Sequence, residues 1–405
     1  MVLDRQQLKE ALKGKDVKDT HSLNSLLAEV SREVIETLLD GEYTHFMGYE
    51  KYDQKSKESN NSRNGYTSKE VISNFGPFQI QTPRDRQAKF KPKIVPKRQR
   101  DICGLEDKII SLYGKGMTTR DIQAHILDIY NFEISPDFVS TVTNQVLQKA
   151  NEWQNRPLEA CYPIIFLDAM RVSVRTDGRV SKISVYNILG IDLEGKKDCL
   201  GIWIGEAESA KFWLTVLNDL RNRGVEEVLI FSVDNLTGLS QAIEAVYPYA
   251  EIQKCVVHQI RNSLKNVSYK NRKELTKDLK NIYCAPSEEQ GAKALEEFKK
   301  KWDEKYKYIG KSWENNWHEL ATFFKFPEEM RRLIYTTNPI ESFHRTLRKA
   351  IKTRSIFPNK ESIFKALFLN VERITESWNR PIPHWTSIFP QIVILFEERI
   401  QKYLQ

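Results

Sequence analysis

The chain has 405 residues, enough for two or three domains that each bury an ordinary core. Hydrophobic residues make up 40% of it and charged residues 29%, with a net charge of +8, which is a soluble, globular composition. No run approaches the roughly 20 apolar residues of a membrane span, and the opening MVLDRQQLKEALKGK lacks the apolar stretch of a secretion signal, so neither membrane insertion nor secretion is expected. Five cysteines, Cys103, Cys161, Cys199, Cys255 and Cys284, are scattered without paired spacing, as in a chain kept reduced in the cytoplasm.

Residues 5 to 41 read as helices, with apolar residues of SLLAEVSREVIETLL at helical spacing, and a first region is drawn over 1–53. The stretch 54–65 is polar and weakly ordered. A short hairpin follows, KEVIS and FQIQT flanking Asn74 to Pro77. Between Arg84 and Arg100 stand eight Lys or Arg and one acid, Asp85, with Pro92 and Pro96 disfavouring a helix. This basic linker, within 54–102, suits a phosphate backbone, with Arg84, Arg86, Lys97, Arg98 and Arg100 as candidate DNA contacts; the plainer reading is a solvated charged segment.

Over 103–155 three helices are predicted. One ends near Gly116, Thr118 or Thr119 caps the second, and Ser135-Pro136 opens the third. This is a helix-turn-helix-like layout with Arg120 at the start of its second helix, though a plain helical bundle fits the same pattern.

The texture becomes α/β over 160–264. IIFLDAM, KISVYNILGID and KDCLGIWIGE are strands, the last two joined at Leu193-Glu194-Gly195. AKFWLTVLNDLRNRG is a helix, VLIFSVD a fourth strand, GLSQAIEAV a helix and AEIQKCVV a fifth strand. Three meandering strands followed by right-handed crossovers give a ribonuclease-H-like sheet, with its first and fourth strands neighbours and parallel. Residues 265–337 are helical in pattern, an all-helical insertion, and 338–405 adds C-terminal helices beginning with Asn338 as cap and Pro339 in the first helical position.

That topology brings Asp168, Asp234 and Glu341 together, and their residue type has a chemical reading. Phosphodiester cleavage and strand transfer can run on two Mg²⁺ ions about 3.5 to 4 Å apart, which take hard oxygen ligands from carboxylates remote in sequence, with Mn²⁺ as a substitute. Each acid also has a bland role: Asp234 as a helix cap, Glu341 as half of a capping box with Asn338. Cys255 and His258 resemble half a zinc site, but zinc takes about four ligands and no second pair follows. His258 is instead a candidate for contacting phosphate or orienting a carboxylate. Arg345, Arg348 and Lys352 share a helix face with Glu341 and could lie along DNA, or Arg345 could simply pair with Glu341.

The run D-x3-G-L-x6-V-Y-P-Y-A-x2-Q-x-C-x2-H, from Asp234 to His258, closely resembles the signature of the Mutator-type insertion-sequence transposases of bacteria. RNGY at 63, TPRDR at 82, LYGKGMTTRDI at 112, WQNRPLEACYPIIFLDA at 153, TTNPIES at 336 and RSIFPN at 354 resemble that family in its order. The resemblance implies a ribonuclease-H-like core interrupted by helices and an Asp-Asp-Glu triad at Asp168, Asp234 and Glu341, with Cys255 and His258 as the accessory pair. It implies a nucleoid-associated enzyme that binds the terminal inverted repeats of its element and target DNA, cuts a strand and transfers it, acting at least as a homodimer, for which the helices around 22–41 are a candidate interface. Asn235, where Gly is common, and His344, where Asn is common, depart from the pattern. A domesticated, non-catalytic DNA-binding protein or repressor is the alternative, and a nuclease without strand transfer shares every residue named.

Overall fold

The computed structural model describes residues 18–53, 60–102, 104–130, 133–176, 178–205, 209–236, 238–336 and 338–404. The helical reading of 5–17 and the first half of the polar stretch, 54–59, lie outside them; the second half, read as weakly ordered, is ordered, with Asn61 buried and a strand beginning at Arg63. The chain divides into two units, Met1–Tyr113 with Met117–Asn144, and Gly114–Gly116 with Gln145–Gln405.

In the first unit, helix α1 spans Thr20–Met47. The Asp19 carboxylate accepts the Ser22 N–H at 2.8 Å and caps it, and Gly48 ends it in the left-handed region at φ 76°. The helix runs six residues past the predicted end because Tyr43 and Met47 continue its buried stripe beyond Leu39, across Gly41. Strands β1 (Arg63–Ser73) and β2 (Gly76–Asp85) form the hairpin, longer than predicted, with only Asn74 and Phe75 in the turn. The basic segment read as a linker folds against this hairpin. Ile72 N–H donates to Arg100 O at 2.8 Å, Ile102 N–H donates to Ile72 O at 3.0 Å, and Val95 joins Leu39, Val71 and Ile80 in a small core. Asp85 organises the start of that segment, accepting from Asn61 Nδ2 (2.6 Å), Lys89 N (3.0 Å) and Phe90 N (3.1 Å). Burial pushes its carboxyl up, but those donors hold it below the usual range.

Three helices follow: α2 (Leu105–Gly114), α3 (Thr119–Tyr130) and α4 (Pro136–Gln154). Thr118 Oγ1 accepts the Asp121 N–H at 3.2 Å while Asp121 accepts the Thr118 N–H at 3.0 Å, a reciprocal cap. Ser135 Oγ accepts the Phe138 N–H at 3.1 Å, as predicted for the third helix.

The second unit is built on a mixed five-stranded sheet in the order β5-β4-β3-β6-β7. Its strands are β3 (Cys161–Thr176), β4 (Arg179–Ile191), β5 (Lys197–Gly205), β6 (Glu227–Val233) and β7 (Glu251–Lys254). β3 pairs antiparallel with β4 and parallel with β6, the juxtaposition predicted for the first and fourth strands of this region. Helices α5 (Ala210–Asn222) and α6 (Leu239–Val246) cover one face. α5 buries Trp213, Val216, Leu217 and Leu220 at i, i+3, i+4 and i+7 against Leu167, Phe231 and Val233. Because side chains alternate along a strand, Asp168 projects to the opposite face from Leu167.

β7 is shorter than the predicted AEIQKCVV. It stops at Lys254: the Cys255 N–H still donates to Val233 O of β6 at 2.7 Å, but Cys255 then caps α7 (Val256–Leu264), its Sγ accepting the His258 N–H at 3.5 Å. Between α7 and residue 338 the described regular elements are all helical: α8 (Tyr269–Tyr283), α9 (Glu288–Asn315), α10 (Trp317–Leu320), a 3₁₀ turn at Thr322–Lys325 and α11 (Glu328–Ile334). α12 (Asn338–Ile351) starts at Asn338, one residue before the predicted start, and packs over β3 and β4; α13 (Lys360–Thr375), α14 (Trp385–Leu395) and α15 (Glu397–Ile400) complete the unit.

Candidate functional site

Asp168 lies midway along β3, directly opposite Asn187 of β4. Its Oδ1 accepts the Ala169 N–H at 2.7 Å and its Oδ2 stands 3.0 Å from His344 Nδ1. Burial pushes the carboxyl up, but His344 and the Ala169 N–H outweigh it and hold Asp168 ionised below the usual carboxylate range. His344, from α12, is buried, and its Nε2 is 3.0 Å from Asn187 Nδ2.

Asp234 follows the last residue of β6, so it leaves the strand neighbouring that of Asp168. Its Oδ1 accepts the Asn235 N–H at 2.7 Å and lies 3.5 Å from His258 Nδ1. The capping role does not hold: α6 starts after Gly238 and has no side-chain cap. Asn235 in turn reaches α7, its Nδ2 donating to Gln259 Oε1 at 3.5 Å.

Glu341 comes from the first turn of α12. Its Oε1 is 3.2 Å from His258 Nε2, and Arg261 grips both of its oxygens, Nη2 reaching Oε2 at 3.1 Å. A single imidazole therefore spans two of the predicted acids. The Cys255 cap fixes the start of α7, and His258 and Arg261, three residues apart, share the face turned to Glu341. Burial opposes charge on His258, but Cys255, Asp234 and Asp168 overcome it and push its pKa up to about 9. Glu341 is thus engaged by two cationic partners. Among the described residues no group of three or more His, Cys, Asp or Glu side chains stands where it could hold one metal ion as arranged.

Sequence reading missed Arg261 and Asn187, and singled out His344 only as a departure from a pattern. The spacing of Cys255, His258 and Arg261 along one helix was the available signal for the first. Asn187 has none, since it meets Asp168 only through strand register.

The candidate DNA contacts fall in separate places. Arg84, Lys97, Arg98 and Arg100 line a cleft of about 690 Å³ on the hairpin with Lys69, and Arg86 is exposed nearby. Arg120 is exposed on α3. Arg345 and Arg348 are exposed on α12, whereas Lys352, read as part of the same helix face, lies exposed in the turn just past its end at Ile351, and Glu341 pairs with Arg261 rather than Arg345.

Known proteins supply the remaining comparison. The family described as Transposase, Mutator family matches residues 2–381. A probable transposase for insertion sequence element ISRM3-like of Sinorhizobium fredii is 42% identical, covering 98% of this chain and 99% of its own. The transposase for ISRM3 of Rhizobium meliloti is 41% identical over the same shares, and that for IS256 in Tn4001 of Staphylococcus aureus is 26% identical over 87% of this chain and 92% of its own. A Drosophila P element transposase strand transfer complex covers 68% of this chain and 92% of its own at a TM-score of 0.33 and 9% identity, too weak a likeness to argue from. Matched over nearly its whole length, this chain belongs to the Mutator family of transposases.

Proposed function

We propose that the chain is a DNA transposase that binds the terminal inverted repeats of its own insertion sequence, cuts a strand there, and joins the freed 3′-hydroxyl to target DNA. The observation that carries this reading is the meeting of three remote acids near His258: Asp168 and Asp234 from neighbouring parallel strands and Glu341 from the helix packed over them. Three antiparallel strands continued by two parallel ones, with acids on the central pair, support a ribonuclease-H-like core interrupted by the helices of 265–337.

Asp168, Asp234 and Glu341 would hold Mg²⁺, or Mn²⁺ in its place. Their carboxylates are the hard oxygen donors such ions take, and Glu341 would have to release Arg261 and His258 to join the set. Two ions bound there would supply activation of the attacking oxygen and stabilisation of the leaving one. The rest of the work falls to the chain itself. His258 stands between Asp234 and Glu341 and offsets their mutual repulsion before substrate binds. Arg345 and Arg348 on α12, with Lys352 just past its end, offer cations to the phosphate backbone beside Glu341. In cleavage a water oxygen bonds to phosphorus as the 3′-oxygen departs; in joining, that 3′-oxygen bonds to a target phosphorus and displaces the target's own 3′-oxygen. One P–O bond forms for each that breaks.

The proposal places end recognition in residues 1–150, on the basic cleft and the α2–α4 helices, and takes a homodimer as the unit that brings two ends together. Val30, Val34 and Leu38, exposed at spacing four on α1, support that helix as the interface. Among the described residues no helix is long and apolar enough to cross a membrane, and a cytoplasmic, nucleoid-associated protein is part of the proposal.

The test is an end-containing duplex incubated with full-length protein. Nicked and joined products are expected in Mg²⁺ or Mn²⁺ and none in EDTA, while Asp168→Asn, Asp234→Asn and Glu341→Gln bind ends normally and yield no product. A fully active Asp234→Asn protein refutes the catalytic reading. Nicking without joining reduces it to a nuclease, and binding alone to a repressor.

A further inference from the structure

Asp168 and Asn187 are paired across β3 and β4, so their side chains stand on the same face of the sheet. His344 of α12 closes the gap above them, with Nε2 3.0 Å from the Asn187 amide nitrogen and Nδ1 3.0 Å from Asp168 Oδ2. Asn187 is fully buried and His344 is 1% exposed, so water does not compete for these groups. An amide NH₂ only donates, which makes the facing Nε2 an acceptor, and a neutral imidazole then carries its one proton on Nδ1, toward the carboxylate. With the amide turned over, its oxygen would take a proton at Nε2, and a neutral ring would then leave a bare Nδ1 against Oδ2, two acceptors at 3.0 Å; only a doubly protonated ring would satisfy both.

We infer that Asn187 and His344 are positioning residues for Asp168: Asn187 sets the His344 tautomer, and His344 donates from Nδ1 to hold the Asp168 carboxylate in the orientation the reaction uses. The inference rests on the reading of Asp168 as part of the catalytic set. His344 and Glu341 lie three residues apart on α12, on one side of the helix. The element that presents the third acid therefore also grips the first, and the separation of the two acids is set by a helix rather than by a loop. Groups that orient a ligand in this way typically change metal affinity or activity about 10- to 100-fold when removed.

The experiment has two arms on the full-length protein. In the first, ¹⁵N-histidine-labelled protein without metal is observed by ¹H–¹⁵N correlation, with His344 assigned by the signal that disappears in His344→Gln. A proton on Nδ1 alone is expected, and Asn187→Asp, which replaces the donor by an acceptor, is expected to bring a proton to Nε2. A native ring protonated at Nε2, alone or together with Nδ1, overturns the inference whatever the activity. In the second arm, His344→Gln, whose amide can donate to Asp168 and accept from Asn187, is expected to stay within about threefold of native cleavage. His344→Leu is expected to fall about 10- to 100-fold and to need more Mn²⁺ for half-maximal cleavage, with end binding retained as the check on folding. Equal activity of His344→Leu and native protein, or equal loss in both variants, refutes the positioning role. If Asp168→Asn is itself fully active the catalytic reading fails instead, and the tautomer result stands apart from it.

Discussion

His258 provides a quantitative test of the acid cluster before any DNA is added. Without metal it is expected to be protonated at neutral pH: burial opposes the charge, but the Cys255, Asp234 and Asp168 groups around it push its pKa from 6.5 up to about 9. A group whose folded pKa is raised contributes stability that is fully present below pH 6.5 and is lost as the pH climbs through about 9. At about 1.36 kcal/mol per pH unit that window is worth at most about 3 kcal/mol. The His258 side chain is 20% exposed, so solvent screening trims the figure only modestly. The perturbation is Asp234→Asn, which removes a negative charge 3.5 Å from Nδ1 at almost constant size. The midpoint should then move down from about 9 toward 6.5, and the pH range over which stability is lost should move with it. On the proposed reading saturating Mg²⁺ should lower the native midpoint as well, because an ion held by Asp234 and Glu341 would compete with the imidazolium for them. The assay is an NMR titration of His258 in EDTA and in Mg²⁺, with urea unfolding of native and Asp234→Asn protein at pH 6.5 and 9. A native midpoint near 6.5, or one that Asp234→Asn leaves in place, would refute the reasoning that the acids converge on this histidine.

Replacing Lys97, Arg98 and Arg100 by Gln should weaken binding to end and random DNA about equally and flatten the salt dependence by about one unit of slope for each phosphate no longer neutralised; weakening confined to end DNA argues against backbone recognition by these cations. Asp85→Ala strands the donors of Asn61, Lys89 and Phe90 and should destabilise the hairpin unit by about 3 kcal/mol or more, seen as faster proteolysis between residues 60 and 100. Trp213→Ala empties a fully buried site packed edge-on to Tyr186 at 4.8 Å and should cost about 3–5 kcal/mol in urea unfolding of the sheet unit. His258→Ala should reduce strand cleavage without releasing zinc, and stoichiometric zinc in chelator-treated native protein would contradict it.

What could be read from the sequence follows the range of the interactions involved. The Thr118 and Ser135 caps and the α5 stripe ending before Gly224 are visible because each closes within two helical turns, where spacing and contact are the same fact. The acids are visible for a related reason: strand and helix order constrains which strand ends can lie side by side, and Asp168 and Asp234 stand on the two strands that meet. Errors appear where a local signal competes with a remote one. Pro92, Pro96 and the surrounding charge suggest a free linker, yet Val95 and the Ile72 backbone hold the segment to the hairpin. The apolar CVV suggests a continuing strand, whereas the Cys255 thiol ends it by capping α7.

By itself, then, the sequence determined the kinds of element, the Thr118 and Ser135 caps, and the pairing that sets Asp168 and Asp234 on neighbouring strands, all properties of residue type and spacing. Tertiary structure alone decided that Asn187 faces Asp168, that His344 enters between them, and that Arg261 rather than Arg345 takes Glu341. Those partners are 19, 176 and 80 residues apart, respectively, counting Asp168 to Asn187, Asp168 to His344 and Arg261 to Glu341. Strand register and the seating of one helix on a sheet place such pairs to within a hydrogen bond's length, and neither is encoded in the spacing of the residues they join.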